Sequence, residues 1–167
     1  MGGNQSNNNS GVIINFEVES PVSAGRMFKA ALVDWHNLGP KLAPHVLASA
    51  SIVEGDGGVG SLRQLNFTSA MPFSCVKERL DFVDHEKFEC KITAIEGGLL
   101  DTILESASVC FKIEPTSTGG CICKAVTEAK LKPGAHAGDE EAKAKESLVE
   151  RFKGTEAYLL ANPDAYV

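Results

Sequence analysis

Four glycines, Gly55, Gly57, Gly58 and Gly60, fall within six residues in the stretch Glu54–Ser61, and they spell G-x-G-x-x-G. Such spacing serves phosphate binding, because bare backbone amides can approach an anion and a following helix adds its positive end. Here the following residues, Ser61 to Ser69, alternate in polarity and read as a strand. A Walker loop needs Lys directly after the last Gly, and Ser61 stands there. A kinase glycine loop does join two strands, but the chain has no H-R-D or D-F-G segment. Glu54 and Asp56 would repel phosphate. The glycines therefore predict a tight hairpin with positive backbone dihedrals, whose exposed amides could hold an anion weakly. No nucleotide cofactor is expected.

The second chemical set is the thiols and imidazoles. Cys121-x-Cys123 is half a metal site, but His36, His45, His85 and His136 show no ligand spacing around it. No metal is expected. Cys75, Cys90, Cys110, Cys121 and Cys123 make an odd count without a disulfide framework, which points to free thiols in a reducing compartment. The net charge of −6 argues against DNA binding through clustered cations. No apolar run reaches membrane-spanning length. The first ten residues, MGGNQSNNNS, are polar and low in complexity, and a disordered tail is expected over 1–10. Gly2 and Ser6 match a myristoylation pattern, but no basic patch supplies the second anchor that stable membrane attachment needs.

The elements that must position these groups follow from periodicity. Val12, Ile14, Phe16 and Val18 share one face of a strand. Ser20-Pro21 reads as a helix start, with the helix running to Asn37 and Leu38-Gly39-Pro40 breaking it before a short turn at Lys41–Pro44. From His45 the period is two. Strands are expected at Val46–Val53, Ser61–Ser69, Ser74–Asp81, Lys87–Glu96, Ser106–Glu114 and Cys121–Leu131, joined by short polar turns, so the sheet is antiparallel. Asp139 is placed to cap a last helix that ends before Asn162-Pro163, with Leu148, Phe152, Thr155 and Leu159 as its apolar stripe. The fold class is α+β: one curved antiparallel sheet around a long C-terminal helix, with one domain over 11–167.

Three segments carry a resemblance: EGDGGVGSLRQLNF, VKERLDFVDHEKFECKITAIEGG and TEAYLLANPDAYV. In this order and spacing the chain resembles the plant pathogenesis-related class ten proteins, relatives of the major birch pollen allergen, from about Gly11 to Val167. The resemblance implies seven strands, two short helices after the first, and an internal apolar cavity. It also implies a cytoplasmic, defence- or stress-induced monomer that binds hydrophobic or amphipathic small molecules such as hormones, flavonoids, steroids or fatty acids.

Alternation then names candidate lining residues: Leu65, Phe67, Cys75, Glu78, Cys90, Ile92, Phe111, Cys123 and Ala125 from the strands, and Leu148 and Phe152 from the helix. The face carrying Cys121, Cys123, Ala125, Thr127 and Ala129 is small-sided, which predicts open volume against the helix. The family's proposed ribonuclease residues fall on Arg63, Glu105, Glu156 and Tyr158, but no His joins them for acid–base cleavage. Norcoclaurine synthase, a branch with this fold, uses a Tyr, a Glu and a Lys where this chain has Val76, Glu78 and Cys90. The gate and latch motifs of abscisic acid receptors are absent, with Gly97-Gly98-Leu99-Leu100 in one such loop. Enzyme and hormone-receptor readings thus stand behind ligand binding.

Overall fold

The computed structural model describes residues 11–167. The expected tail and the Gly2 acylation motif lie outside the described residues. Seven strands form one antiparallel sheet in the order β1-β7-β6-β5-β4-β3-β2. They are β1 Gly11–Ser20, β2 Leu47–Glu54, β3 Leu62–Phe67, β4 Cys75–Asp84, β5 Glu89–Gly97, β6 Leu104–Pro115 and β7 Cys121–Leu131. β1 and β2, consecutive in sequence, occupy opposite edges. The crossing between them is made by α1, Ala24–Phe28 with a π-turn at Lys29–Val33, and α2, Trp35–Leu42. The last helix, α3, spans Glu140–Ala161.

Three boundary expectations are corrected. Ser20 ends β1, and its hydroxyl accepts the Val22 N–H at 3.3 Å, so the helix starts later, at Ala24. Gly39 and Pro40 do not break a helix but sit inside α2. A Cβ on Gly39 would meet Leu47 Cδ2 at 2.8 Å and Trp35 Cε2 at 2.9 Å, so this glycine permits close packing. Pro40 removes one helical N–H only two residues before α2 ends. Asp139 does occupy the N-cap, but its carboxylate caps no N–H and instead pairs with Lys143 at 3.3 Å.

The sheet's inner face meets the helices in two clusters. The larger packs Met27, Phe28 and Leu32 of the crossing helices with Ile113, Cys123, Ala125, Phe152 and Leu159. The smaller gathers Trp35, Leu47 and Leu65 beside β2 and β3. The two halves of α3 behave differently. From Phe152 onward its inward residues, Phe152, Thr155 and Leu159, are fully buried. Before it, Ala144, Ser147, Leu148 and Arg151 face open space.

Candidate ligand-binding cavity

That open space is a cavity of about 370 Å³ between the two clusters. Its floor is the inner face of β5, β6 and β7, with Ile92, Ala94, Val109, Phe111 and Thr127. Its roof is the first half of α3, and Trp35, Leu65 and Phe67 close the side toward β2 and β3. Met71 and Phe73, from the loop joining β3 and β4, stand at the rim, where Phe73 packs edge-on against Phe67 at 5.1 Å.

Of the sequence candidates, Leu65, Phe67, Glu78, Ile92, Phe111 and Leu148 line this cavity. Cys90, Cys123, Ala125 and Phe152 do not. They share the inward faces of their strands and helix, but farther along, inside the larger cluster. Cys75 is also outside the lining; it lies an odd number of residues from Glu78 along β4.

The small-sided face of β7 therefore has a different meaning from the expected one. Ala125 lies between Phe16 on β1 and Phe111 on β6 in the strand register. The Phe152 ring stacks on Phe16 at 6.1 Å and meets Phe111 edge-on at 6.1 Å. The volume left by Ala125 is filled by Phe152, and only Thr127, nearer the strand end, borders the cavity.

Glu78, Glu150 and Arg151 are the charged residues of the lining, and Arg63 adjoins them through Glu78. Arg63 and Glu78 face each other across β3 and β4 and pair at 3.0 Å. Arg63 also donates to the Leu32 carbonyl at 2.8 Å, a group left without a helical partner where the π-turn ends. Arg63 is thus a buried strut between the crossing helices and the sheet. Arg151 stacks over Trp35, its guanidinium carbon 4.6 Å from the ring centroid, with Phe111 at 5.9 Å. Burial pulls its pKa down to about 10, Glu78 opposing and Arg63 reinforcing, so it stays cationic at neutral pH. The sequence reading missed Arg151 and Trp35. The signal for Arg151 was a cation three residues after Leu148 and four before Thr155, on the apolar stripe itself.

The ribonuclease candidates are not brought together. Glu105 pairs with Lys130 at the end of β7, whereas Glu156 pairs with Lys153, whose ammonium reaches the Glu19 carbonyl opposite the start of that strand. The eight residue steps of strand from Ile122, the partner of Glu19, to Lys130 put roughly 27 Å between those ends. Tyr158 packs against the larger cluster.

The glycine loop is a hairpin joining β2 and β3, with Gly55, Gly57 and Gly60 at positive φ. Its amides are occupied. Gly57 N–H donates to Ser61 Oγ at 2.8 Å, Gly58 N–H to Asp56 Oδ1 at 2.9 Å and Gly60 N–H to the Leu80 carbonyl at 2.7 Å. These three amides are therefore engaged within the hairpin, which leaves fewer donors for the weak anion contact expected of the loop. Among the described residues no cluster of metal-ligating side chains occurs. Cys121 and Cys123 stand with their sulfurs 3.9 Å apart and buried, and Cys90 is held as a thiol, burial pushing it up to about 12.

Comparison with known proteins agrees with this architecture. The model of the pathogenesis-related protein Bet v 1 family matches residues 12–162. Pathogenesis-related protein 1 of Asparagus officinalis is 57% identical, over 90% of this chain and 95% of that protein. Major pollen allergen Bet v 1-M/N of Betula pendula is 40% identical, over 92% and 98%. Among solved structures, Ara h 8.0201 superposes with a TM-score of 0.81 at 30% identity, covering 91% of this chain and 99% of that one. Norcoclaurine synthase of Thalictrum flavum does so with a TM-score of 0.78 at 26% identity, over 93% and 91%.

Proposed function

The chain belongs to the Bet v 1 family of pathogenesis-related proteins, and from that premise we propose that it carries or buffers a hydrophobic or amphipathic small molecule in the cavity under α3. The observation that carries this reading is the cavity itself, about 370 Å³ with mostly apolar walls. Well-packed interiors leave few voids above the size of a water molecule, whereas ligand pockets begin at roughly 300 Å³. Free thiols at all five cysteines suit a reducing cytoplasm, and a defence- or stress-linked role as a monomer follows the family. No helix among the described residues is long and apolar enough to cross a membrane.

A second reading, turnover in the same cavity, draws on the likeness to norcoclaurine synthase and on Glu78 reaching the lining. Arg63 already engages that carboxylate, and Cys90 is buried outside the cavity, so binding is the better supported function.

The test is titration with the neutral fluorophore N-phenyl-1-naphthylamine. A Kd of about 10 µM corresponds to about 7 kcal/mol, which about 270 Å² of buried apolar surface supplies at roughly 25 cal/mol per Å². Saturable one-site binding that Ala94→Trp blocks is expected. Folded protein that shows no saturable binding would refute the function. A mass-spectrometric screen of plant metabolites, scored for both retention and conversion, separates carrier from enzyme.

A further inference from the structure

The cavity holds a cation with no ion-pair or hydrogen-bond partner of its own among the described residues; Glu78 is near enough to favour its charge but is engaged by Arg63. Arg63 and Glu78 form one neutral pair at 3.0 Å. Glu150 points to the exposed mouth, where it pairs with His45. That leaves Arg151. Its planar group is stacked on Trp35 and bordered by Phe111, and among the described residues no carboxylate or carbonyl lies within bonding distance of it. Stacking satisfies the faces of a guanidinium and leaves the N–H donors at its edge. Those donors border a mostly apolar cavity that remains open to water, and a bound oxyanion would give them a charge-assisted partner there.

The geometry points to Arg151 as the head-group site for an anionic ligand: a singly charged oxyanion, carboxylate or sulfonate alike, on a flat or aliphatic apolar body. This rests on the cavity being a ligand site and adds the ligand's charge and orientation. The oxyanion meets the edge of Arg151 beside Trp35. The apolar body extends along Ile92, Ala94 and Val109, and Phe67 and Leu148 close over it. A cationic ligand is excluded by the same charge. The reading also separates Arg151 from Arg63: Arg151 is half-buried and borders the cavity, whereas Arg63 is buried beside it and has both a carboxylate and a carbonyl partner.

Two dyes with one skeleton test it. 8-Anilinonaphthalene-1-sulfonate differs from N-phenyl-1-naphthylamine only by its sulfonate. The affinity ratio of sulfonate to neutral dye is measured in wild type and in Arg151→Leu. The ratio is expected to fall at least about tenfold in the variant, the size of one charge-assisted hydrogen bond; because Arg151 also borders the neutral dye, the ratio and not either affinity alone is what the test reads. Arg151→Lys retains part of the sulfonate preference. An unchanged ratio in Arg151→Leu overturns the head-group site and leaves the cavity function standing. Failure of the neutral dye to bind wild type removes both. Should Arg151→Leu not fold, Arg151→Gln removes the charge with a polar stem, and the same tenfold fall is read there.

Discussion

Truncating Phe152 to Ala tests whether the small-sided face of β7 is a packing surface or a ligand wall. Phe152 is fully buried, with Phe16 stacked on one side and Phe111 edge-on at the other. Loss of a buried Phe side chain costs about 3–5 kcal/mol through lost transfer energy and the residual cavity. Ala125 and Cys123 are too short to collapse into the hole, which rules out the bottom of that range and leaves about 4 kcal/mol as the expected cost. In a protein of this length each kcal/mol moves the melting temperature by roughly 2–4 °C. Thermal unfolding followed by circular dichroism should therefore fall by roughly 8–16 °C. Leu148→Ala is the internal control. Leu148 already borders open space, so its truncation leaves a smaller new void and should cost about 1–2 kcal/mol. It should instead weaken neutral-dye binding several-fold. If Phe152→Ala melts within about 3 °C of wild type, the ring is not a core plug. The division of α3 into a packed half and a cavity half would then be wrong.

Gly97 has φ +84°, and a Cβ there would stand 2.3 Å from the Cys75 carbonyl oxygen, so Gly97→Ala should cost about 2–3 kcal/mol in urea unfolding. Burial would raise the Asp81 pKa, but hydrogen bonds from Thr93 and Arg79 outweigh it and hold the carboxyl below its ordinary range. Its contribution is present above the unfolded-state value and is lost as pH falls through the folded one. Asp81→Asn should accordingly be destabilised by about 1 kcal/mol at pH 7, and its gap from wild type should narrow as pH falls below the ordinary carboxylate range, read from urea midpoints across that window. Arg26 donates to the carbonyls of Leu159, Asn162 and Ala165 at 3.1, 2.8 and 2.9 Å, so Arg26→Met should speed carboxypeptidase trimming from Val167 while the sheet stays folded. A thiol reagent at neutral pH should label exposed Cys110 first, and Cys90, Cys121 and Cys123 only in denaturant. Rapid labelling of Cys90 would contradict its burial.

Strand and helix identities were legible because the period carries them. β7 matches its expected bounds, and α3 runs as its charge and stripe indicated, since both are long and end at strong punctuation. The misplaced boundaries share one cause: a local signal served a tertiary purpose. Ser20 had the chemistry of a helix cap and used it in a turn at the end of β1. Gly39 and Pro40 had the composition of a break, yet the approach of Trp35 and Leu47 to a bare Cα is what Gly39 provides. The glycine loop was read correctly as a hairpin, but only the structure shows that Ser61, Asp56 and Leu80 already use the amides of Gly57, Gly58 and Gly60.

The candidate site was half legible, and the missing half has a geometric reason. Alternation says which side chains face inward, but not where along the strand the helix touches down. Cys90 and Ile92 share a face of β5, two residues or about 7 Å apart, and both belong to the larger cluster, yet only Ile92 also borders the cavity. The dividing line is fixed by α3, which meets the sheet at Phe152 and stands off it before. At that point consecutive residues part: a turn of about 100° separates Arg151 from Phe152. Phe152 plugs the core over Ala125, and Arg151 swings to Trp35 and the cavity. A stripe drawn through apolar residues alone selects Phe152 and discards Arg151. The cation of this cavity's lining is therefore the residue that hydrophobic patterning is built to ignore. A cation interrupting an apolar helix stripe opposite a lone Trp is the pattern that would have found it.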